Sequence, residues 1–161
     1  MFANLFEKKI SSFVSPLEGR IKNLDKVKDE TFSQKVMGDG FAIEPKTSEI
    51  YSPVNGTVEF VLGTNHAIGL KSVDGVELLI HVGVYTISLK GKGFTPHVEV
   101  KQDVKQGDLL LTVDFDVIKN FVPSTDVIVI FTSGEKCEIL KPNDMVGKSE
   151  EQIIKYTKFN S

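Results

Sequence analysis

The chain has 161 residues, 40% hydrophobic and 25% charged, a balance that suits one soluble globular domain with a sizeable core. Its net charge of −3 argues against nucleic acid as a partner, because neutralising phosphates calls for clustered lysine and arginine. No apolar run approaches the ~20 residues of a membrane span, no signal-peptide pattern opens the chain, and the lone Cys137 excludes an internal disulfide framework or a multi-cysteine metal site. The cytoplasm is the expected compartment.

In chain order, residues 1–13 carry Phe2, Leu5, Phe6, Ile10 and Phe13 around Lys8 and Lys9. They read as an N-terminal segment ahead of a single domain at 14–161. On a helix their apolar side chains would gather loosely on one side, and docking onto the domain is the expected use. Two lysines are a thin signal for a membrane surface. Strand patterns follow at 12–16, 19–24, 40–45, 48–51, 56–61, 66–71 and 76–81, then at 97–100, 108–114, 126–131 and 135–140. Helix is scarce, with a turn or so at 116–121 and a marginal piece at 150–156. Short strands separated by glycine-containing turns predict an all-β antiparallel β-sandwich or barrel. The run Val14-Ser-Pro-Leu-Glu-Gly-Arg-Ile21 resembles Tyr51-Ser-Pro-Val-Asn-Gly-Thr-Val58, which predicts quasi-symmetric halves; common turn chemistry is the plainer explanation.

The stretch from Thr64 to Gly83 is the most informative. Asp74-Gly75 between two β-rich runs signals a hairpin with a two-residue type I′ turn. In that register Val73 pairs with Val76 and Ile68 faces His81, with His66 diagonally adjacent on the same face. Leu62, Thr64 and Leu79 share that face, while Leu78, Ile80 and Val82 point to the core. Two histidines without cysteine or an obvious third ligand make a poor structural zinc site. A neutral imidazole is a nucleophile near pH 7, so one ring could attack phosphorus while the other donates a hydrogen bond to the transferred oxygens. From spacing alone, two ordinary surface or core histidines are the favoured reading, and group transfer is one candidate.

The runs Gly63-Thr-Asn-His-Ala67, Gly75-Val-Glu-Leu-Leu-Ile-His-Val-Gly-Val-Tyr-Thr86 and Leu89-Lys-Gly-Lys-Gly-Phe94 resemble the glucose-type IIA component of the phosphoenolpyruvate-dependent sugar phosphotransferase system. Val36-Met-Gly-Asp-Gly-Phe-Ala-Ile-Glu-Pro45 and Ser52-Pro-Val-Asn-Gly-Thr-Val58 do so too, in one register from about residue 15 to 148. The resemblance implies a barrel-sandwich hybrid fold, cytoplasmic work with transient visits to the inner membrane face, and a phosphotransferase component. His81 would accept phosphate from the phosphocarrier protein HPr, as a covalent phosphohistidine, and pass it to a cysteine of the IIB domain of a glucose-family permease. His66 would stabilise the phosphoryl group, Thr64 would orient His66, and the Gly83 carbonyl would fix the tautomer of His81. Phe32, Leu62 and Leu79 match an apolar docking rim, and Asp29 an acidic residue facing partner arginines.

No cofactor is implied, although the resemblance allows His66 and His81 to join a zinc site completed by a partner's carboxylate. It equally allows a regulatory protein that binds metabolic enzymes or transporters through the two-histidine face. Leu62 and Leu79 replace aromatics, and Tyr85 stands where some members carry a second acid; such changes alter steering and partner choice more than chemistry. Membrane tethering is not implied, because residues 1–13 depart from the longer tail of enteric members.

Other residues read more plainly. His97 is a surface histidine, Cys137 an idle thiol, and Lys90 with Lys92 a solvated turn or a phosphate-friendly one. A zinc peptidase would need a His-x-His pair, and a biotinyl or lipoyl carrier a lysine tripeptide on a hairpin tip; neither occurs here.

Overall fold

Glycine- and proline-containing turns cut the chain into short strands, and β-branched runs between them supply surfaces to pair. The computed structural model describes the backbone of residues 7–9 and 12–159, with side chains from 12 to 157. Phe2, Leu5, Phe6 and Ile10, named above as a docking face, lie outside the described residues.

The first half comprises β1 (Glu7–Lys9), β2 (Gly19–Asn23), β3 (Gly40–Pro45), β4 (Glu49–Tyr51), β5 (Gly56–Val61), β6 (Ala67–Ser72) and β7 (Glu77–Val84). There follow β8 (Phe94–Pro96), β9 (Asp103–Val104), β10 (Leu109–Val113), β11 (Ser124–Phe131), β12 (Lys136–Ile139), β13 (Met145–Val146) and β14 (Ile154–Phe159). Two single-turn helices, α1 (Glu30–Ser33) and α2 (Phe115–Ile118), are the α-helices among the described residues, and neither is long enough to cross a membrane. The main sheet runs β13-β2-β3-β11-β7-β6-β5-β9, with smaller sheets β4-β10-β8 and β1-β14-β12; every recorded strand pair is antiparallel. The all-β antiparallel expectation therefore holds.

Hydrogen bonding bears out the quasi-symmetric halves in detail. Val14 donates to the Pro53 carbonyl and Tyr51 to that of Pro16, so the two Ser-Pro turns bond to each other reciprocally. In both, the serine hydroxyl donates two residues onward at 2.7 Å, Ser15 to Leu17 and Ser52 to Val54. The β2–β3 pair Gly19↔Pro45 is repeated as Gly56↔Ser72 in β5–β6, and the β13–β2 pair Val146↔Gly19 as Val104↔Gly56. The pseudo-twofold axis thus passes between β7 and β11 at the middle of the sheet.

The main sheet is covered on both faces. Ile68, Leu70, Leu78, Ile80 and Val82 lie on one side in the main core, packed with Leu110 and Leu111 of β10. On the other, Ala67, Leu79, Ile128 and Ile130 meet Leu24, Val27 and Phe32 from the segment between β2 and β3. That segment carries α1, which escaped sequence reading because one capped turn has no periodicity; Asp29 caps it by accepting from the Thr31 amide at 2.8 Å.

Three local expectations change. The helix at 150–156 is strand β14, because Ile154 and Tyr156 are buried alternately with exposed Lys155 and the Tyr156 ring stacks on Phe131 at 4.6 Å. The strand at 97–100 sits earlier, at β8, where it can pair with β10. The strand at 12–16 is reduced to an isolated bridge between Val14 and Glu151. Phe13 docks in the core, in line with the expected use of its segment, edge-on to Phe41 and Tyr156, and β1 pairs with β14.

A Cβ at Gly19 would run into the Glu44 carbonyl oxygen, and one at Gly56 into that of Lys71, positions related by the internal symmetry. Gly19→Ala and Gly56→Ala should each lower the unfolding free energy by about 1–3 kcal/mol, measured by urea denaturation.

Candidate functional site

The hairpin that carries the two histidines is built differently from the sequence expectation. Ala67, and not Ile68, faces His81, while Ile68 pairs with Ile80 and lies in the main core. The turn holds three residues: Gly75 takes φ +86 and Asp74 is not in the left-handed region, so a type I′ turn is absent. Ser72 holds this turn instead, its hydroxyl accepting from the amides of Asp74 and Val76 at 3.2 and 3.1 Å.

That one-residue slip would place His66 on the core side of the strand. The rings nevertheless meet, because β6 begins only at Ala67. Asn65 has φ +61, and a turn closed by Asn65 N–H to the Leu62 carbonyl at 2.8 Å bends the chain just before the histidine. The His66 carbonyl still accepts from the Val82 amide at 2.8 Å, but its ring stands edge-on to His81 with centroids 4.9 Å apart.

Each ring has its own supports. His66 is buried, its Nδ1 lies 2.6 Å from the Thr64 hydroxyl oxygen, and its other side meets Phe94 at 6.4 Å. His81 is half-buried, with Phe32 tilted against it at 4.9 Å and Leu79 beside it along β7. Gly83 follows at φ +74, where β7 and β11 shift register, and a Cβ there would meet the Thr86 methyl group at 2.5 Å. Thr86 is tied down by its hydroxyl, which donates to the Val82 carbonyl at 2.6 Å.

Electrostatics keep both rings neutral. Burial lowers the His66 pKa. Burial, then the neighbouring His66 charge, pull His81 down to about 4; the Gly83 backbone and the Asp29 carboxylate oppose this only in part. No hydrogen bond of good geometry reaches His81 Nδ1 among the described residues, so the Gly83 interaction is loose in this state. At neutral pH His81 therefore carries a free ring lone pair.

The expected rim divides. Phe32 and Leu79 are each only 6% exposed and form a floor, while Leu62, at 39%, stands out. Tyr85, outside the expected rim, is exposed too, at 66%; each of these two lies four residues from a histidine in the chain. Asp29 is half-buried and occupied in capping α1. His97 is exposed, with Nε2 at 2.7 Å from the Thr112 hydroxyl, away from the pair. Cys137 is half-buried, and burial with the Asp39 charge pushes its thiol pKa well up, so it is inert as a nucleophile. Lys90 and Lys92 are exposed in the turn before Phe94. Sequence reasoning missed Ala67, Phe94 and Thr86 as supports, although all three lie in the quoted runs. Two ring nitrogens fill only half a tetrahedral zinc shell, and among the described residues no group of three or more His, Cys, Asp or Glu side chains is placed to hold a metal.

A pair of neutral imidazoles in edge contact, backed by a threonine on one side and a left-handed glycine on the other, is equipment for group transfer. The family model for the phosphoenolpyruvate-dependent sugar phosphotransferase system, EIIA 1, matches residues 11–137. The chain belongs to this family. It is similar in structure to the glucose permease IIA from Mycoplasma capricolum, with TM-score 0.80 and 37% identity, covering 93% of this chain and 95% of that one. As a glucose-type IIA, it is a phosphotransferase component acting in a phosphoryl relay of sugar uptake.

His81 should stay neutral at pH 6 and titrate near 4, read from its ring ¹⁵N shifts. A midpoint at or above ~6.5, the ordinary value, would contradict the burial argument. Because its folded pKa lies below the unfolded one, the stability due to this group is full above the unfolded value and is lost as pH falls through the folded one.

Proposed function

We propose that His81 is the phosphoryl carrier of this IIA and His66 its stabilising neighbour. The observation that carries the reading is the 4.9 Å edge-on contact between two rings held neutral by burial, with Thr64 anchoring only one of them. His81 Nε2 attacks the phosphorus of phospho-HPr; its new N–P bond forms as the donor's P–N bond breaks, and the donor imidazole leaves. The proton on His81 Nδ1 stays, now on a cationic ring, and the Gly83 carbonyl tightens onto it. If Thr64 donates its hydroxyl proton to His66 Nδ1, Nε2 of His66 carries a hydrogen and can donate to the incoming phosphoryl oxygens. A cysteine thiolate of a permease IIB domain then takes the group by attacking phosphorus, returning His81 to its neutral state. The chemistry needs no cofactor, since phosphoryl transfer depends on positioning and charge stabilisation.

Exposed Leu62 and Tyr85 lie within the docking face for both partners, over the floor made by Phe32 and Leu79. The same face would serve any regulated enzyme or transporter that binds the chain. The relay would operate in the cytoplasm and meet the permease at the inner membrane face.

With phosphoenolpyruvate, the first enzyme of the system and HPr, the protein should gain one acid-labile phosphoryl group. His81→Ala should gain none, and normal labelling of that variant would sink the assignment. His66→Ala should still be labelled but pass the group to a IIB domain at least about 100-fold more slowly, the lower range for loss of a stabilising donor. Thr64→Val should fall between His66→Ala and the native protein in a rapid-quench transfer assay.

A further inference from the structure

Away from the histidine pair, a cleft of about 360 Å³ lies between the end of β3 and the approach to β11, and four lysines line it: Lys22, Lys28, Lys46 and Lys119. Its carboxylates, Glu44 and Asp126, are both engaged by Lys22, at 3.7 and 2.8 Å. Lys119 has a 3.4 Å contact with Asp116, between two exposed side chains, which holds it weakly. Lys28 and Lys46 are exposed and enter no ion pair among the described residues. A chain with net charge −3 therefore concentrates uncompensated positive charge in one concavity.

Two hydroxyls share the cleft. The Ser124 oxygen accepts from the Asp126 amide at 3.1 Å, which leaves its own proton free to donate. Thr125 is half-buried beside it. The volume lies near the low end of small-ligand sites, about 300–1,000 Å³. Such a concavity favours a compact ligand over a flat bilayer surface.

We propose that this cleft binds a small hydroxylated phosphomonoester. Lys28 and Lys46 meet the phosphate dianion as two mobile point charges, with Lys119 in support. Ser124 and Thr125 face the ester's hydroxyl groups. Lys22, shared between Asp126 and Glu44, offsets one of these two carboxylates, and the three outer lysines outweigh the one negative charge left, so the cleft as a whole stays positive. This binding does not depend on phosphate transfer at His81.

The test is a ¹H–¹⁵N titration of the His81→Gln protein with glucose 6-phosphate at low salt, with glucose and inorganic sulfate in parallel. Using that variant removes anion capture at the histidine pair from the reading. Glucose 6-phosphate should give saturable shifts at Lys28, Lys46 and the 124–126 backbone, with a Kd of about 1 mM or tighter. Lys28→Gln combined with Lys46→Gln should weaken binding at least about tenfold, as expected when charge-assisted contacts are lost. Both side chains are exposed, so the urea midpoint should not move. Absence of saturation, unchanged affinity in the double variant, sulfate binding as tightly as the ester, or binding confined to anionic-lipid vesicles would each overturn the proposal.

Discussion

The structure depends on burying the central strands β7 and β11 on both faces. Their paired run, from Leu78 to Val82 against Val127 to Phe131, is apolar except for His81, and nearly all of it is inaccessible to water. A charge placed there would lose solvation with little to replace it. That constraint keeps His81 neutral, and neutrality is what the proposed attack on phosphorus would require. The scaffold's demand for a dry centre and the chemistry's demand for a free lone pair are the same demand.

The internal symmetry shows how a site is carved from a repeated frame. His66 occupies the position equivalent to Asp39, and the backbone bond is preserved: Phe131 donates to the Asp39 carbonyl as Val82 does to that of His66, both at 2.8 Å. His81 is equivalent to Ile130 in the partner strand, which is fully buried. Asp39 accepts from the Gly40 and Cys137 amides and pairs with Lys35, so it is fully occupied by its own surroundings. One half keeps a structural solution at the axis, and the other presents two imidazoles. The backbone does not distinguish them; side chains and the turn at Asn65 do.

Much was legible from residue order. Alternating apolar runs bounded by glycine and proline marked most strands, and the two Ser-Pro turns marked the duplication, because turn chemistry is local. The hairpin register was not legible. Asp74-Gly75 suits a two-residue turn, but the Ser72 hydroxyl, accepting from two amides, stabilises the longer one. Two departures then offset each other: the register slipped by one, and β6 stopped short of His66. Strand β14 has an apolar alternation too short to tell from a helical face, and pairing with β12 and stacking of Tyr156 on Phe131 decide it.

Sequence alone determined the all-β class, the repeat, and that one hairpin brings the two histidines near each other, since these follow from period-two patterning and short-range turn preferences. The ungapped runs shared with the IIA family determined where to look for function. Only the tertiary structure decided how the rings meet, which supports each has, and that Phe32 and Leu79 are floor where Leu62 and Tyr85 are surface. Those matters depend on burial and on contacts between segments far apart in the chain. Phe32 against His81 joins residues 49 positions apart, a relation no local pattern encodes.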